Sequence, residues 1–365
     1  MGCGVPWEER MDAPQLDDLG KAFARVATRR GILGALTGAF TAGSALQSRS
    51  KAFAMTRPSS VAPQSRPAAR ESARYAITDL GTGMGNAGRA WLINSDGTVA
   101  GDQALLMNGA VDPASVRLIL WRAETAIDLT ALGITDIQWF DHAGDLIARR
   151  GNEVVRYNVR DGSVEPAADA LPTIDPPVGF VRVGLAARNA RGEIVGTVFP
   201  HADDVSGARG FVLTEQGMTL LDPVSAGDSS VTGDLNNDGI VVGGPAEDQF
   251  GPLPGLGFRY DLVDGTTTDL KPLPDYTGAA ASGINVQGDI VGASHHPTNS
   301  SLSPMIACLW PADTLEPIAL ETLLLPETEW RCRAAYDIND TGAMVGSGWE
   351  GDDPRVRPFV LQPIP

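Results

Sequence analysis

From residue 75 onward, short apolar and β-branched runs alternate with clusters of Asn, Asp and Gly. Leu118-Ile119-Leu120-Trp121, Val154-Val155-Arg156-Tyr157 and Ile240-Val241-Val242 are such runs. Runs this short, stopped this regularly, predict strands and turns. The polar punctuation itself repeats. Asn-x-x-Gly, with a second glycine four residues later, occurs at Asn94 to Gly97 with Gly101, Asn189 to Gly192 with Gly196, and Asn236 to Gly239 with Gly243. It occurs again at Asn285 to Gly288 with Gly292 and at Asn339 to Gly342 with Gly346. A degenerate copy, Asp141 to Gly144 with Ala148, fills the remaining gap. Successive copies stand 47, 48, 47, 49 and 54 residues apart, the length of one propeller blade.

Each copy predicts a hairpin. The Asn side chain caps the turn, and the glycine takes a left-handed conformation that β-branched residues avoid. The second glycine falls on the return strand, where a neighbouring backbone can approach closely. A third strand follows a variable loop: Leu118 to Trp121, Val154 to Tyr157, Gly210 to Leu213, Gly257 to Tyr260, Ala307 to Trp310 and Pro358 to Leu361. A fourth ends near Ile127-Asp128-Leu129, Leu220-Leu221-Asp222 or Thr268-Asp269-Leu270. Four antiparallel strands at this period make one blade.

The ends of the chain complement one another. The sixth copy stops after its third strand, whereas Tyr75-Ala76-Ile77-Thr78-Asp79-Leu80 reads as an orphan fourth strand. Pairing them closes the ring and removes two exposed edges. The expected fold is therefore all-β, a six-bladed β-propeller over residues 75–365, closed by strand 75–80. Small residues such as Gly278-Ala279-Ala280-Ala281 suit crowded inner strands.

Tyr-x-Ile-Thr-Asp-Leu-Gly, then Ile-Asn-x-x-Gly-x-Val-x-Gly, then a Phe-Leu-Trp-like third strand resembles the HAF family of extracellular repeats. The resemblance spans nearly all of residues 75–365. It departs at the His-Ala-Phe signature, where this chain has Gly210-Phe211, Gly257-Phe258 and Pro358-Phe359. It implies a propeller-like repeat outside the cytoplasm and carries no catalytic residues.

The region before the repeats differs in composition. Thr28-Arg29-Arg30-Gly31-Ile32-Leu33 opens a mildly apolar stretch to Leu46, followed by Arg49, Lys51 and Ala52-Phe53-Ala54. Paired arginines, a weak apolar core and an A-x-A site resemble a twin-arginine export signal over residues 1–54. Gly34 stands where a lysine is common, and Met11 is an alternative start. The core is short for a membrane span. Residues 55–74, rich in Pro, Ser, Ala and Arg, read as a disordered tether.

The 365 residues carry a formal net charge of −17. Residues 1–54 hold seven Lys/Arg and five Asp/Glu, so the remainder has 21 against 40. That surface repels phosphate backbones and anionic lipid, which argues against nucleic-acid and membrane partners. The expected partner is an envelope or extracellular protein or glycan, bound by a monomer without a transmembrane span in the mature chain. Beyond the leader the cysteines are Cys308 and Cys332, one potential disulfide or two buried thiols.

Candidate chemistry is sparse. Asp234-Leu235-Asn236-Asn237-Asp238-Gly239 matches the first half of a calcium loop, but Val242 and Pro245 stand where later ligands belong. A divalent cation such as Ca2+ is thus the one cofactor candidate, against an Asx-turn hairpin. His201, Asp203 and Asp204 and, in another copy, His295 and His296 fall between second and third strands. Their loops are expected to share one face with Glu247, Asp248, Trp349 and Asp352. Imidazoles and carboxylates converging there suit a metal or a cationic ligand. Trp330, Arg331 and Arg333 precede the sixth inner strand as ligand-face candidates, with Arg331 or Arg333 expected to point into the channel, while Trp121 and Trp310 read as blade packing. Neither a nucleophile elbow nor a phosphate-cradling glycine loop is present. The sequence therefore favours an exported, non-enzymatic binding propeller working through its long-loop face. The alternatives are a metal-dependent lyase or hydrolase and an architectural envelope module.

Overall fold

The computed structural model describes residues 74–364, apart from 82, 84, 108–109, 124, 203–204, 223–228, 246, 249–250, 253–254, 296–304, 352 and 354. The leader and tether of the sequence reading lie outside these residues. Six four-stranded antiparallel sheets follow one another around a ring, and the described helices are single 3-10 turns of three or four residues. No described helix is long and apolar enough to cross a membrane.

Blade 1 is built from Ala87–Ile93, Val99–Ala104, Arg117–Arg122 and Thr125–Asp128, and blade 2 from Asp136–Phe140, Leu146–Arg150, Glu153–Tyr157 and Val164–Pro166. Blade 3 comprises Arg182–Arg188, Ile194–Phe199, Arg209–Thr214 and Gly217–Leu220; blade 4 comprises Ser230–Leu235, Ile240–Pro245, Gly257–Asp261 and Thr267–Leu270. Blade 5 comprises Gly278–Ile284, Ile290–His295, Met305–Trp310 and Ile318–Ala319. Blade 6 takes Trp330–Ile338, Met344–Glu350 and Arg357–Pro363 from the end of the chain and Tyr75–Asp79 from its start. Tyr75 pairs with Pro363 and Asp79 with Phe359, so the ring closes as the sequence implies. Asp79 also forms an ion pair with Arg357, whose guanidinium lies 5.0 Å from the Trp330 ring centroid.

The Asn-x-x-Gly turns join first to second strands and share one face of the disc with the third-to-fourth turns. The long loops share the other. All six turn glycines, the one at Gly144 included, have φ between 78° and 87°. Each first strand is bulged near its middle, as between Ala281 and Gly283 or Thr232 and Asp234. The bulge presses a carbonyl onto the next strand. A Cβ at Gly243 would land on the Val231 carbonyl oxygen and, at 2.6 Å, on the Phe258 ring; Gly346 is enclosed alike by Ala334 and Phe359. The close approach expected at the second glycine is thus present. Blade 2 has Ala148 there, facing Val155 on the third strand.

The core lies between blades. One cluster joins Ile240, Val242 and Leu270 of blade 4 to Ala279, Ile284 and Trp310 of blade 5. Trp121 and Trp310 are buried, as blade packing requires. Cys308 and Cys332 are free and buried in separate clusters, so the disulfide alternative is not realised.

Candidate functional site

The turn asparagines do two jobs. Asn236 Oδ1 accepts from the Asp238 and Ile240 amides at 3.1 and 3.0 Å, which closes the hairpin. Its Nδ2 donates 3.1 Å to the Asn285 carbonyl in the next blade. The same stitch runs from Asn189 to Asn236 (3.1 Å), from Asn285 to Asn339 (3.5 Å) and from Asn339 to Asn94 (2.9 Å). Asn94 reaches the Gly144 carbonyl in blade 2 at 3.0 Å. Further bonds reinforce these seams: Asp234 Oδ2 accepts from the Ile284 amide and Asp337 Oδ2 from the Ile93 amide.

Between blades 2 and 3 this stitch is missing. Asp141 keeps the hairpin role, accepting from the Ala143 and Asp145 amides. A carboxylate has no donor to pass on, and Asp141 Oδ2 turns instead to Arg156 Nε within its own blade, at 3.0 Å. The Arg156 guanidinium is held above its ordinary pKa, first by that bond. Apolar contact supports the seam, with Trp139, Ile147, Ala167, Ala170 and Leu171 packed against Leu185.

A cavity of about 600 Å³ opens at this seam and crosses the axial mouth on the turn face. Its walls come from Phe140, Asp141, His142 and Arg156 of blade 2, Asp169 of the connection and the turn Arg188 to Gly192 of blade 3. Asp234, Asn237, Val286 and Asp340 complete it across the axis. That volume falls within the ~300–1,000 Å³ usual for small-ligand sites. A second hollow of about 490 Å³ lies on the same face between blades 4 and 5, lined by Asp238, Arg259, Asp261 and Gln287 among others.

The residues singled out from sequence disperse. Asp234 lines the larger cavity and Asp238 the smaller. Side-chain oxygens of the calcium-like segment are already engaged: Asp234 Oδ2 and Asn237 Oδ1 hold neighbouring blades, the latter accepting from the Ala190 amide at 2.9 Å, and Asn236 Oδ1 closes its own hairpin. His295 is not in a loop; it ends the second strand of blade 5, fully buried. His201 is exposed on the long-loop face. Glu247 and Asp248 form one side of a two-residue hairpin paired to Gly251 and Pro252. Trp330 is buried edge-on against Phe359, with centroids 5.9 Å apart. The inner strand of blade 6 begins at Trp330, so Arg331 and Arg333 lie within it instead of preceding it; Arg331 is exposed and 3.5 Å from Glu321, and Arg333 is half-buried. Trp349 is half-buried and pairs across the strand with Arg331. Asp203, Asp204, His296 and Asp352 lie outside the described residues. Among the described residues no three His, Cys, Asp or Glu side chains gather as a metal site.

Arg188, Asp169, Arg156 and Asp141 were not found from sequence. The available signal was the loss of the amide at position 141, in the one copy already seen as degenerate.

No protein-family model and no curated protein matches the chain, so the likeness to HAF repeats rests on the residues quoted above. Among solved structures it is similar to XC5397 from Xanthomonas campestris, a gluconolactonase, at 12% identity and a TM-score of 0.40, covering 80% of this chain and 91% of that one. It is similar to TolB from Acinetobacter baumannii at 12% identity and 0.36, covering 68% and 60%. It is also similar to the β-propeller domain of the trilobed protease from Pyrococcus furiosus, which has an open velcro topology, at 11% identity and 0.35, covering 76% and 85%. At these values neither chemistry nor partner carries over.

Proposed function

We propose that the protein is an exported binding propeller of the envelope or extracellular space, and that it takes a glycan in the cleft between blades 2 and 3. The observation that supports this is the cleft itself, a charged, half-open cavity at the one seam where the stitch fails. The sequence reading pointed to the long-loop face; the turn face is where the described cavity lies. Export is supported by the paired Arg29 and Arg30 and the Ala52-Phe53-Ala54 site.

A thermal-shift screen of the full chain against glycans tests the binding claim, with Ala190→Trp as the control that fills the cleft from its exposed turn. A glycan should raise the melting temperature of the native protein and not that of the variant. Stabilisation that survives Ala190→Trp places binding elsewhere and refutes the cleft. For export, replacing Arg29 and Arg30 by lysine should retain a leader–reporter fusion in the cytoplasm; unchanged secretion excludes the twin-arginine route.

A further inference from the structure

The charged walls of the cleft are unequally engaged. Arg156 is shared between Asp141 and Glu165, and Arg191 lies 2.8 Å from Glu193. Asp340 Oδ1 accepts from the Val286 amide at 3.0 Å, and Asp234 is committed to blade 5. Arg188 and Asp169 differ: both are exposed, and neither has a side-chain hydrogen bond or ion pair among the described residues. Of the three arginines lining the cleft, Arg188 alone has no carboxylate at ion-pair distance among the described residues.

We propose that the cleft takes an acidic saccharide, with its carboxylate on Arg188 and its hydroxyl groups on Asp169, and that Asp141 keeps the seam open to admit it. The proposal rests on the cleft being the binding site. A guanidinium fork matches a carboxylate in plane and number of donors. Asp169 would repel a second carboxylate but accepts from hydroxyl groups, which a uronic acid carries on the same ring. Half-buried Phe140 offers the apolar face of that ring a surface. An asparagine at 141, as in the other five copies, has the donor needed to clamp blade 2 to blade 3 across the entrance.

The test is calorimetric titration of the full chain at low salt with a galacturonate trisaccharide, its neutral galactose counterpart and glutamate. The uronate should bind, the neutral trimer at least tenfold more weakly, and glutamate not at all. Arg188→Ala should weaken uronate binding tenfold or more with an unchanged melting temperature, and Arg188→Lys should restore part of it. Asp169→Asn should cost a few-fold. Asp141→Asn should raise the melting temperature while weakening the uronate. Equal affinity for the neutral trimer, indifference to Arg188→Ala, preference for glutamate, or no uronate binding overturns the proposal. If a different ligand still binds and is lost with Ala190→Trp, the cleft stands and only its acidic-saccharide assignment falls.

Discussion

Blades 4 and 5 meet through a fully buried apolar cluster, an asparagine stitch at 3.1 Å and a carboxylate–amide bond at 3.0 Å. Blades 2 and 3 meet through a smaller apolar cluster, and the residue in the stitching position is occupied within its own blade. Two changes of side-chain chemistry stand out: carboxylate for amide at Asp141, and Trp139 in the position that Asp234 holds in blade 4. The comparison teaches that the repeat is a fastening system; hollows lie on the turn face at both seams, and the larger is at the seam where the stitch is withheld.

The most damaging way to break the fastened regions is to remove strand 75–80. This opens the ring at blade 6, and circular dichroism and light scattering should show loss of fold or association through the exposed edge. A folded monomer after deletion contradicts closure. Next comes Gly243→Ala, which drives a Cβ into the Val231 carbonyl and the Phe258 ring. Denaturant melts should show about 3 kcal/mol of destabilisation. The mirror change in blade 2, Ala148→Gly, should cost only about 1 kcal/mol. Equal effects would mean the two blades are packed alike.

A finer contrast compares the stitches directly. Asn236→Ala removes two turn bonds and one bond to blade 5, worth about 2–3 kcal/mol together. Asp141→Ala loses two turn bonds and the bond from Arg156 but no stitch, and should cost about 2–3 kcal/mol as well, all of it within blade 2. At neutral pH no effect is expected from Cys308 in the fastened region; its signature lies at high pH. Burial pushes its thiol up to about 11, above the ordinary 9.0. Its folded pKa is raised, so the stabilisation is whole below pH 9 and is lost as pH rises from 9 towards 11. Titration of stability over that range should show the decline; Cys308→Ser should make it shallower, and the buried thiol of Cys332, raised in the same direction, supplies a part that remains.

Much of this was legible beforehand. Asn236 and Gly239 announce a hairpin because the bonds involved span four residues, and side-chain type alone settles them. Tyr75 to Leu80 could be assigned to blade 6 because a four-strand unit was short by one. His295 was misplaced because a strand's last residue and a loop's first look alike in a polar stretch. Trp330 looked like a ligand-face residue because its neighbours are arginines; its contact with Phe359 comes from a strand whose residue stands 29 positions further on.

The sequence by itself determined the period, the blade count, the turn chemistry and the closing strand, because each depends on neighbours along the chain or on counting. Only the tertiary structure decided that the asparagine amides reach across seams to partners 47 to 54 residues away, or round the ring from Asn339 to Asn94. It also decided that a cleft lies beside Asp141. Those contacts depend on the angle and distance between blades, which are set by the packing of all six at once.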